Sequence, residues 1–221
     1  MLDEIVPPQV AAVETFDDPP GVRLYPQEET LLRRAVASRR IEFGTARWCA
    51  RQALAKLGVP PAPILPGPRG APSWPAGVAG SMTHCAGYRA AALAHSRDFA
   101  AIGIDAEPHG PLPDGVRDVI ASQEEQLALT ELAATAPEAS WDKLLFSAKE
   151  ATYKAWFPLA QRWLGFKDAL ISINPADGTF TARLLVPGPL LAGHQLTEFS
   201  GRWLVRDGLV ITSIAVPAGP V

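Results

Sequence analysis

The sequence has no long hydrophobic run and very little cysteine. No stretch of eighteen apolar residues occurs in the 221-residue chain, so no transmembrane helix and no membrane partner is predicted. The first ten residues, MLDEIVPPQV, are acidic and contain proline instead of a basic and then apolar signal pattern, and we therefore expect a cytoplasmic protein. Two cysteines, Cys49 and Cys85, are too few for a disulfide framework and indicate unreactive thiols.

A strong net charge is also lacking. The chain carries 20 Lys and Arg residues against 23 Asp and Glu residues, and its formal net charge of -3 argues against a general nucleic-acid binder. Hydrophobic residues make up 48% of the sequence, which is enough for the core of one large domain or two small ones. Helical patterns are followed by strand patterns twice along the chain. We therefore expect an α/β protein with two similar halves in a pseudo-twofold arrangement, residues 1–104 and 105–221, acting as a monomer.

The clearest single element is a helix from Trp141 to Pro158. Ser140 can cap its start and Pro158 is predicted to end it, which gives a helix of about four to five turns. Its apolar positions follow the i, i+3, i+4, i+7 spacing of a buried face. That predicted face consists of Trp141, Leu144, Leu145, Ala148, Thr152 and Ala155.

A second face of this helix carries Glu150 and Lys154, one turn apart. On spacing alone they are a surface ion pair worth roughly 0.2–0.5 kcal/mol. The large side chains of Phe146, Tyr153 and Phe157 lie on the same face, however, and a solvated face has no need of them. The pattern therefore favours a functional face.

A basic segment precedes this helix in the chain. Residues 26–57 form a predicted helix that can break near Ser38 and that carries seven Arg and Lys residues against three Glu residues. Arg40, Arg47 and Arg51 fall within about 40° of one another on a helical wheel. Such a face suits phosphate oxygens, and a simply solvated face is the alternative.

A proline-rich loop and two short strands follow the basic helix. The loop covers residues 59–75 and contains Arg69, which can close over a ligand or face water. Strands are predicted at residues 78–82 and 88–94, with His84 in the turn between them. A lone histidine is usually structural, but His84 beside Thr83 at a strand end can also donate to an anion.

Two acidic residues close the next predicted strand, residues 100–107. Asp105 and Glu107 point to the same face, with about 6.6 Å between alternate residues. Two such carboxylates repel each other unless a cation lies between them or one is protonated, so a hard metal such as Mg²⁺ would relieve the repulsion. A bare D-x-E pattern is a weak signal, because the ends of surface strands often carry such pairs.

The sequence also predicts elements outside these motifs. Residues 1–21 form an extended segment without a clear pattern, and a helix is expected at residues 119–132. Asp207 and Gly208 are a strong hairpin signal between the last two strands. The strands expected after the Trp141 helix are residues 169–173, 180–186, 202–205 and 209–216.

Three motifs together indicate a family. GSMTHCAGY at residues 80–88, IGIDAEP at 102–108 and FSAKEATYKAW at 146–156 resemble the 4′-phosphopantetheinyl transferases of the surfactin and enterobactin-synthetase type. The segments RRIEFGTARWCARQALAKLGVPPAPIL and WFPLAQRWLGF are similar to the mycobacterial members. Each motif alone is weak, but their order and spacing are specific, and the resemblance extends from about residue 35 to residue 216.

The resemblance implies a metal and catalytic centre in the half at residues 105–221. By this resemblance Asp105, Glu107 and Glu150 bind Mg²⁺ or Mn²⁺ together with the pyrophosphate of coenzyme A. Glu150 is also the family's proposed general base, and a metal-bound water that relays the proton is the competing route. Lys154 would contact the phosphate under attack, and Lys149 would assist.

The resemblance also implies a phosphate clamp for coenzyme A in the half at residues 1–104. Arg69 is a weaker candidate for this clamp, and Pro66 stands where close relatives tend to have a lysine. The residues that match the family's contacts to the coenzyme phosphates are Arg39, Arg40, Arg47, Thr83 and His84.

The implied reaction transfers 4′-phosphopantetheine from coenzyme A to a serine of an acyl or peptidyl carrier protein and releases 3′,5′-ADP. The carrier would belong to fatty-acid, polyketide or nonribosomal peptide synthesis, and it would dock near residues 112–120 or 157–166. Two rival functions remain open on the residues alone. They are a coenzyme A or nucleotide-binding module without catalysis, and a metal-dependent phosphohydrolase.

Overall fold

A computed structural model describes residues 1–219 of the chain. Five α-helices are present in this range, and none of them is long and apolar enough to cross a membrane. The helices are α1 (Pro26–Leu31), α2 (Ala37–Lys56), α3 (Val116–Ile120), α4 (Gln123–Thr135) and α5 (Trp141–Ala160). The strands are β1 (Ala11–Thr15), β2 (Val78–Cys85), β3 (Tyr88–His95), β4 (Phe99–Pro108), β5 (Ala169–Asn174), β6 (Thr179–Leu184), β7 (Leu190–Leu191), β8 (His194–Gln195), β9 (Glu198–Arg206) and β10 (Leu209–Pro217).

The strands form two main antiparallel sheets, each covered by one long helix. The first sheet has the order β1-β3-β2 and packs against α2, and the second has the order β4-β10-β9-β6-β5 and packs against α5. Strands β7 and β8 make a separate small hairpin. This confirms the mixed α/β class. The predicted boundary between residues 104 and 105 falls inside β4, and the division into two halves stays a prediction.

Two hydroxyl side chains join the sheets where β2 runs beside β4. The backbone N–H of Ile104 donates to Ser81 Oγ at 3.1 Å, and the backbone N–H of Ala106 donates to Thr83 Oγ1 at 3.1 Å. These hydroxyls satisfy amides of β4 on the side that faces β2, so the strand that carries Asp105 is fixed to both sheets.

Helix α5 lies very close to β4. A methyl group added at Gly103 would lie 2.0 Å from the carbonyl oxygen of Ala151, so only glycine permits this approach. The predicted buried face of α5 is confirmed, because each of its six residues is buried. The predicted end at Pro158 is wrong: the helix continues to Ala160 and stops at Gln161, whose φ of 52° is left-handed. Pro158 has no backbone N–H to donate to the carbonyl of Lys154, so it costs the last turn one hydrogen bond, and the helix ends two residues later.

Several other boundaries also differ from the expectation. His84 lies within β2 instead of in the turn, whereas the basic helix does break close to Ser38, at residues 32–36. The helix expected at residues 119–132 is divided between α3 and α4. The division lies at Ser122, whose side chain caps the start of α4 by accepting from the backbone N–H of Glu125. The segment at residues 1–21 contains β1, which pairs with β3.

Both cysteines are free thiols, as expected. Burial raises the pKa of Cys49 to about 12 and that of Cys85 to about 11. Neither thiol is therefore ionised to a useful extent near neutral pH, which agrees with an unreactive role.

Candidate active site

A cavity of about 860 Å³ lies between the two helix-covered sheets. Its walls come from α2, the loop at residues 66–74, β2, the start of β4 and α5, so both halves contribute. Of the site residues predicted from the sequence, those that line it are Arg39, Arg47, Arg69, His84, Glu150 and Lys154. Those that do not line it are Arg40, Thr83, Asp105, Glu107 and Lys149.

Lys154 connects the cavity to the carboxylate of Asp105. Its Nζ donates to Asp105 Oδ1 at 2.8 Å and to the carbonyl oxygen of Ile104 at 2.9 Å. Thr83 Oγ1 lies 3.3 Å from the same Asp105 oxygen and donates to it. The second oxygen, Asp105 Oδ2, is buried and has no hydrogen-bond partner among the residues that the structure describes. An unpaired buried carboxylate oxygen is costly, so this atom is available to a ligand.

The three predicted metal ligands share one electrostatic environment. Burial and then the charge of Asp105 raise the pKa of Glu150, with a smaller contribution from Glu107. Burial and the charge of Asp105 also raise the pKa of Glu107. Within residues 1–219, however, no group of three His, Cys, Asp or Glu side chains is arranged so that it could hold a metal ion. The carboxylates therefore face one region without forming a ready-made cage.

Lys143 is a further basic residue at these carboxylates, and the sequence reasoning missed it. Its Nζ lies 3.7 Å from Glu107 Oε2. A signal was present, because Lys143, Glu150 and Lys154 follow i, i+7, i+11 spacing and so share one face of α5. Lys143 and Lys154 together supply the positive charge that faces the acidic groups in this structure.

His84 and Arg39 form the polar pair on the opposite wall of the cavity. Arg39 Nη1 donates to His84 Nε2 at 3.1 Å, since a guanidinium has no acceptor. Burial is the main cause of a lowered pKa for His84. The imidazole is therefore neutral at pH 7 in this arrangement, and Arg39 carries the charge of the pair.

Arg47 and Arg40 lie on α2 but have different surroundings. Arg47 is buried, lines the cavity and stacks 3.1 Å above the centre of the Phe43 ring. Arg40 instead pairs with Glu29 and donates to the carbonyl oxygen of Leu32, and it does not line the cavity. The arginines that were predicted to share one face of α2 therefore lie in two different environments.

Lys149 points away from the cavity. Its ammonium lies 2.7 Å from Glu125 Oε1, and both side chains are 2% exposed. It also donates to the carbonyl oxygens of Phe166 at 2.6 Å and Ala169 at 2.9 Å. These contacts join α5 to α4 and β5.

Arg69 and Trp163 lie at one edge of the cavity. Arg69 adopts a left-handed conformation with φ of 55° and lies 5.7 Å above the ring of Trp163. The indole packs in turn on Tyr153 at 4.9 Å between ring centres. Trp163 is 58% exposed, so it is a surface side chain in the segment expected to meet a carrier. In the other expected segment, Val119 is exposed.

Two family models match the chain. A model described as the 4′-phosphopantetheinyl transferase N-terminal domain matches residues 27–94. A model of the 4′-phosphopantetheinyl transferase superfamily matches residues 101–207. The two matches together cover the cavity walls from both halves.

Curated relatives agree with this assignment. The chain is 54% identical over 211 residues to 4′-phosphopantetheinyl transferase Svp of Streptomyces mobaraensis, covering 95% of this chain and 85% of the relative. It is 50% identical over 212 residues to 4′-phosphopantetheinyl transferase PptT of Mycobacterium tuberculosis, covering 94% and 92%. It is 32% identical over 187 residues to enterobactin synthase component D of Salmonella typhimurium, covering 83% and 75%.

These matches extend over nearly the whole chain and both walls of the cavity. They confirm the resemblance carried by the three sequence motifs, and they make the two rival functions the less favoured ones. The chain belongs to the 4′-phosphopantetheinyl transferases, enzymes that transfer the phosphopantetheine arm of coenzyme A to carrier proteins.

Proposed function

We propose that the transfer takes place in the cavity between the two halves. In this proposal Glu150 and Lys154 contact the reacting phosphate, and Arg39, Arg47 and His84 bind the other phosphates of coenzyme A. The observation that supports it most is that these five side chains, from three elements of the two halves, line one cavity of about 860 Å³. Basic groups on both walls suit a ligand with several phosphates.

The proposed reaction is an in-line displacement at phosphorus. The serine oxygen of the carrier forms a bond to the β-phosphorus, the bridging P–O bond breaks, and 3′,5′-ADP leaves. Glu150 accepts the serine proton, and burial and the neighbouring carboxylates raise its pKa above that of an ordinary carboxylate. Coordination of a divalent ion would lower this basicity, so the base role requires that one carboxylate oxygen of Glu150 stays free of the ion. Lys154 is oriented by Asp105 and by the carbonyl of Ile104, and its remaining N–H donates to the charge that develops on the phosphate.

We propose Asp105, Glu107 and Glu150 as the residues that would hold Mg²⁺ or Mn²⁺. Three carboxylates are the oxygen ligands that these hard ions prefer, and Asp105 Oδ2 is buried without a partner among residues 1–219. When bound, a divalent ion would neutralise charge on the diphosphate. In this structure Lys154 and Lys143 lie against Asp105 and Glu107, so these ammonium groups would have to move aside for a divalent ion. The three carboxylates would also have to approach one another, because within residues 1–219 they do not form a group that could hold a metal ion.

We further propose that the enzyme acts as a cytoplasmic monomer on carrier proteins of fatty-acid, polyketide or nonribosomal peptide synthesis, with neither nucleic acid nor membrane as partner. A monomer is supported because one chain supplies both walls of the cavity. The net charge of -3 supports the absence of a nucleic-acid partner.

The test is to incubate the protein with coenzyme A, Mg²⁺ and an apo carrier protein and to weigh the carrier by intact mass spectrometry. A phosphopantetheinyl adduct on the serine, with 3′,5′-ADP as the second product, is the expected result. An unchanged carrier with intact coenzyme A would indicate a binding module. Cleaved coenzyme A without an adduct would indicate a phosphohydrolase.

A further inference from the structure

Glu28 is a fully buried carboxylate at the start of α1, with 0% of its surface exposed. It lies where α1, α2 and the segment that leads into the cavity loop meet. Oε1 accepts from the backbone N–H of Ile64 at 2.9 Å, and Oε2 accepts from the backbone N–H of Tyr25 at 3.0 Å. Arg51 Nη1 donates to the carboxylate at 3.1 Å. Each oxygen of Glu28 is therefore paired.

Arg47 is connected to Glu28 through Ile64. The Nε of Arg47 donates to the carbonyl oxygen of Ile64 at 2.9 Å. The backbone N–H of Ile64 donates in turn to Glu28. The Nε also lies 3.7 Å from Glu28 Oε1. These contacts and the stacking on Phe43 fix the plane of the guanidinium. Its Nη2 makes no hydrogen bond within residues 1–219.

The charges of this cluster do not cancel. One carboxylate, Glu28, lies between two guanidiniums, and the closer of them is Arg51, at 3.1 Å against 3.7 Å for Arg47. One positive charge therefore remains, and Arg47 is the member of the cluster that lines the cavity. A fixed and uncompensated guanidinium with a free N–H is suited to bind a phosphate oxygen.

We propose that Glu28 is a positioning residue for the coenzyme site. It does not line the cavity, but it holds Arg47 and Ile64 so that Nη2 of Arg47 is presented to a phosphate of coenzyme A. This inference rests on the proposed role of the cavity as the coenzyme site. By this inference, a buried acidic residue increases the affinity of the protein for a ligand with several negative charges.

The sign of the effect separates positioning from simple charge. Glu28→Gln removes a negative charge near the cavity, so an electrostatic effect alone would strengthen the binding of the coenzyme phosphates. If Glu28 positions Arg47, the same change weakens binding, because Gln cannot pair with Arg51 and the two guanidiniums then repel each other. We expect an increase of about tenfold in the dissociation constant, which corresponds to the loss of one charge-assisted contact.

The experiment is calorimetric titration of coenzyme A into the wild type and the variants Glu28→Gln, Arg47→Ala and the double variant, together with transfer kinetics at saturating coenzyme A. The expected result is weaker binding in each single variant, no further loss when Glu28→Gln is added to Arg47→Ala, and unchanged kcat for Glu28→Gln. Glu29→Gln is the matched control, since Glu29 is an exposed neighbour that pairs with Arg40 outside the cavity, and its affinity should equal that of the wild type.

The outcomes distinguish a failure of the proposed coenzyme site from a failure of the inference on Glu28. If Arg47→Ala binds coenzyme A as tightly as the wild type, the proposed role of Arg47 fails, and the inference fails with it. If Arg47→Ala binds weakly but Glu28→Gln binds equally or more tightly than the wild type, only the inference on Glu28 is overturned. If Glu28→Gln does not fold, Glu28→Asp replaces it. Asp keeps the charge but is too short for these contacts, so unchanged affinity would overturn the inference in that case.

Discussion

Glu150 and Lys154 have opposite charges and neighbouring positions, but their surroundings differ. The ammonium of Lys154 has two acceptors, one on the side chain of Asp105 and one on the backbone of Ile104. Glu150 is desolvated beside other carboxylates, which raises its pKa. The pair is therefore not the exposed surface ion pair that the spacing alone suggested, and an acid-base role is favoured.

We predict that Glu150→Gln lowers kcat by about a hundredfold or more, because general-base catalysis is typically worth about 10²–10⁴-fold. Transfer to an apo carrier measured by mass spectrometry checks the rate, and circular dichroism checks the fold. Glu131→Gln on the exposed face of α4 is the control and should transfer at the wild-type rate. A folded Glu150→Gln enzyme with wild-type turnover would remove Glu150 from the site.

The raised pKa of Glu150 also predicts how stability depends on pH. Because its folded-state pKa lies above the unfolded value, the folded state binds more protons between the two values, and stability is lost as pH rises through this window. Glu150→Gln should therefore have a higher Tm than the wild type near neutral pH. The difference should disappear below the ordinary carboxyl pKa of about 4.3.

Thermal unfolding of both proteins without divalent ions across this pH range is the measurement. If the difference in Tm between the two proteins does not change with pH, then ionisation of Glu150 does not destabilise the folded state. Addition of Mg²⁺ should raise the Tm of the wild type more than that of Glu150→Gln, if the proposed metal ligands are right.

At the scale of elements, the distance between α5 and β4 determines whether the acidic and basic residues can meet. Glu150 and Lys154 lie on α5, and Asp105 and Glu107 lie on β4, with Gly103 at the closest approach of the two elements. Any side chain at residue 103 would separate them.

Gly103→Ala should destabilise the enzyme by about 1–3 kcal/mol, the usual cost of overpacking, and should lower transfer at least tenfold. Its Cβ would lie 2.0 Å from the oxygen of Ala151 and 2.8 Å from the nitrogen of Ala155. Urea unfolding and transfer rates measure the two effects. Gly44→Ala in α2 is the control, because there the Cβ would make ordinary contacts, at 3.5 Å from Val22. Equal behaviour of the two variants would refute the close packing.

The buried pair of Lys149 and Glu125 fixes α5 on its other side. Lys149→Met should destabilise the fold by about 3–5 kcal/mol, because it leaves an unpaired buried carboxylate. Replacing both partners by Met should recover only part of the loss, because Glu125 also accepts from the backbone N–H groups of Ser122 and Ile171. The double variant should bind coenzyme A like the wild type. Urea unfolding measures the stabilities of the variants, and calorimetry measures their affinities for coenzyme A. Weak coenzyme binding by the stable double variant would instead support the contact to the coenzyme that the family resemblance implied.

The sequence predicted the elements whose signals are local. The α5 pattern and the turn at Asp207 and Gly208, where both residues have positive φ, were read from neighbouring residues. Strand β1 was missed because it pairs with β3, which lies far along the chain. The start of α4 was missed although Ser122 and Glu125 form a capping box that is visible in the sequence.

The candidate site could be predicted from the sequence only in part. Motifs identified the residues, but not the direction in which each side chain points. Lys149 immediately precedes Glu150, yet the two residues face different surroundings, because successive residues on a helix are about 100° apart. The role that we propose for Glu28 depends on contacts with Arg51 and Ile64, which are distant in sequence, and no local pattern indicates these contacts.

At the scale of the whole molecule, the cavity exists only because two sheets lie side by side. Arg47 and His84 come from the three-stranded sheet and its helix α2, and Glu150 and Lys154 come from α5, which covers the five-stranded sheet. Hydroxyls of Ser81 and Thr83 join the halves through backbone amides of β4. A ligand that bridges the walls would therefore contact both halves at once.

The central claim is that acidic residues of β4 and α5 act together on a diphosphate with a divalent ion. Its most direct test is the mass of an apo carrier after incubation with coenzyme A and Mg²⁺, using the wild type and Asp105→Asn. We expect complete conversion by the wild type, none when the metal is chelated, and none by an Asp105→Asn protein that is folded. Conversion by that variant at the wild-type rate, or by the wild type without a divalent ion, would contradict it.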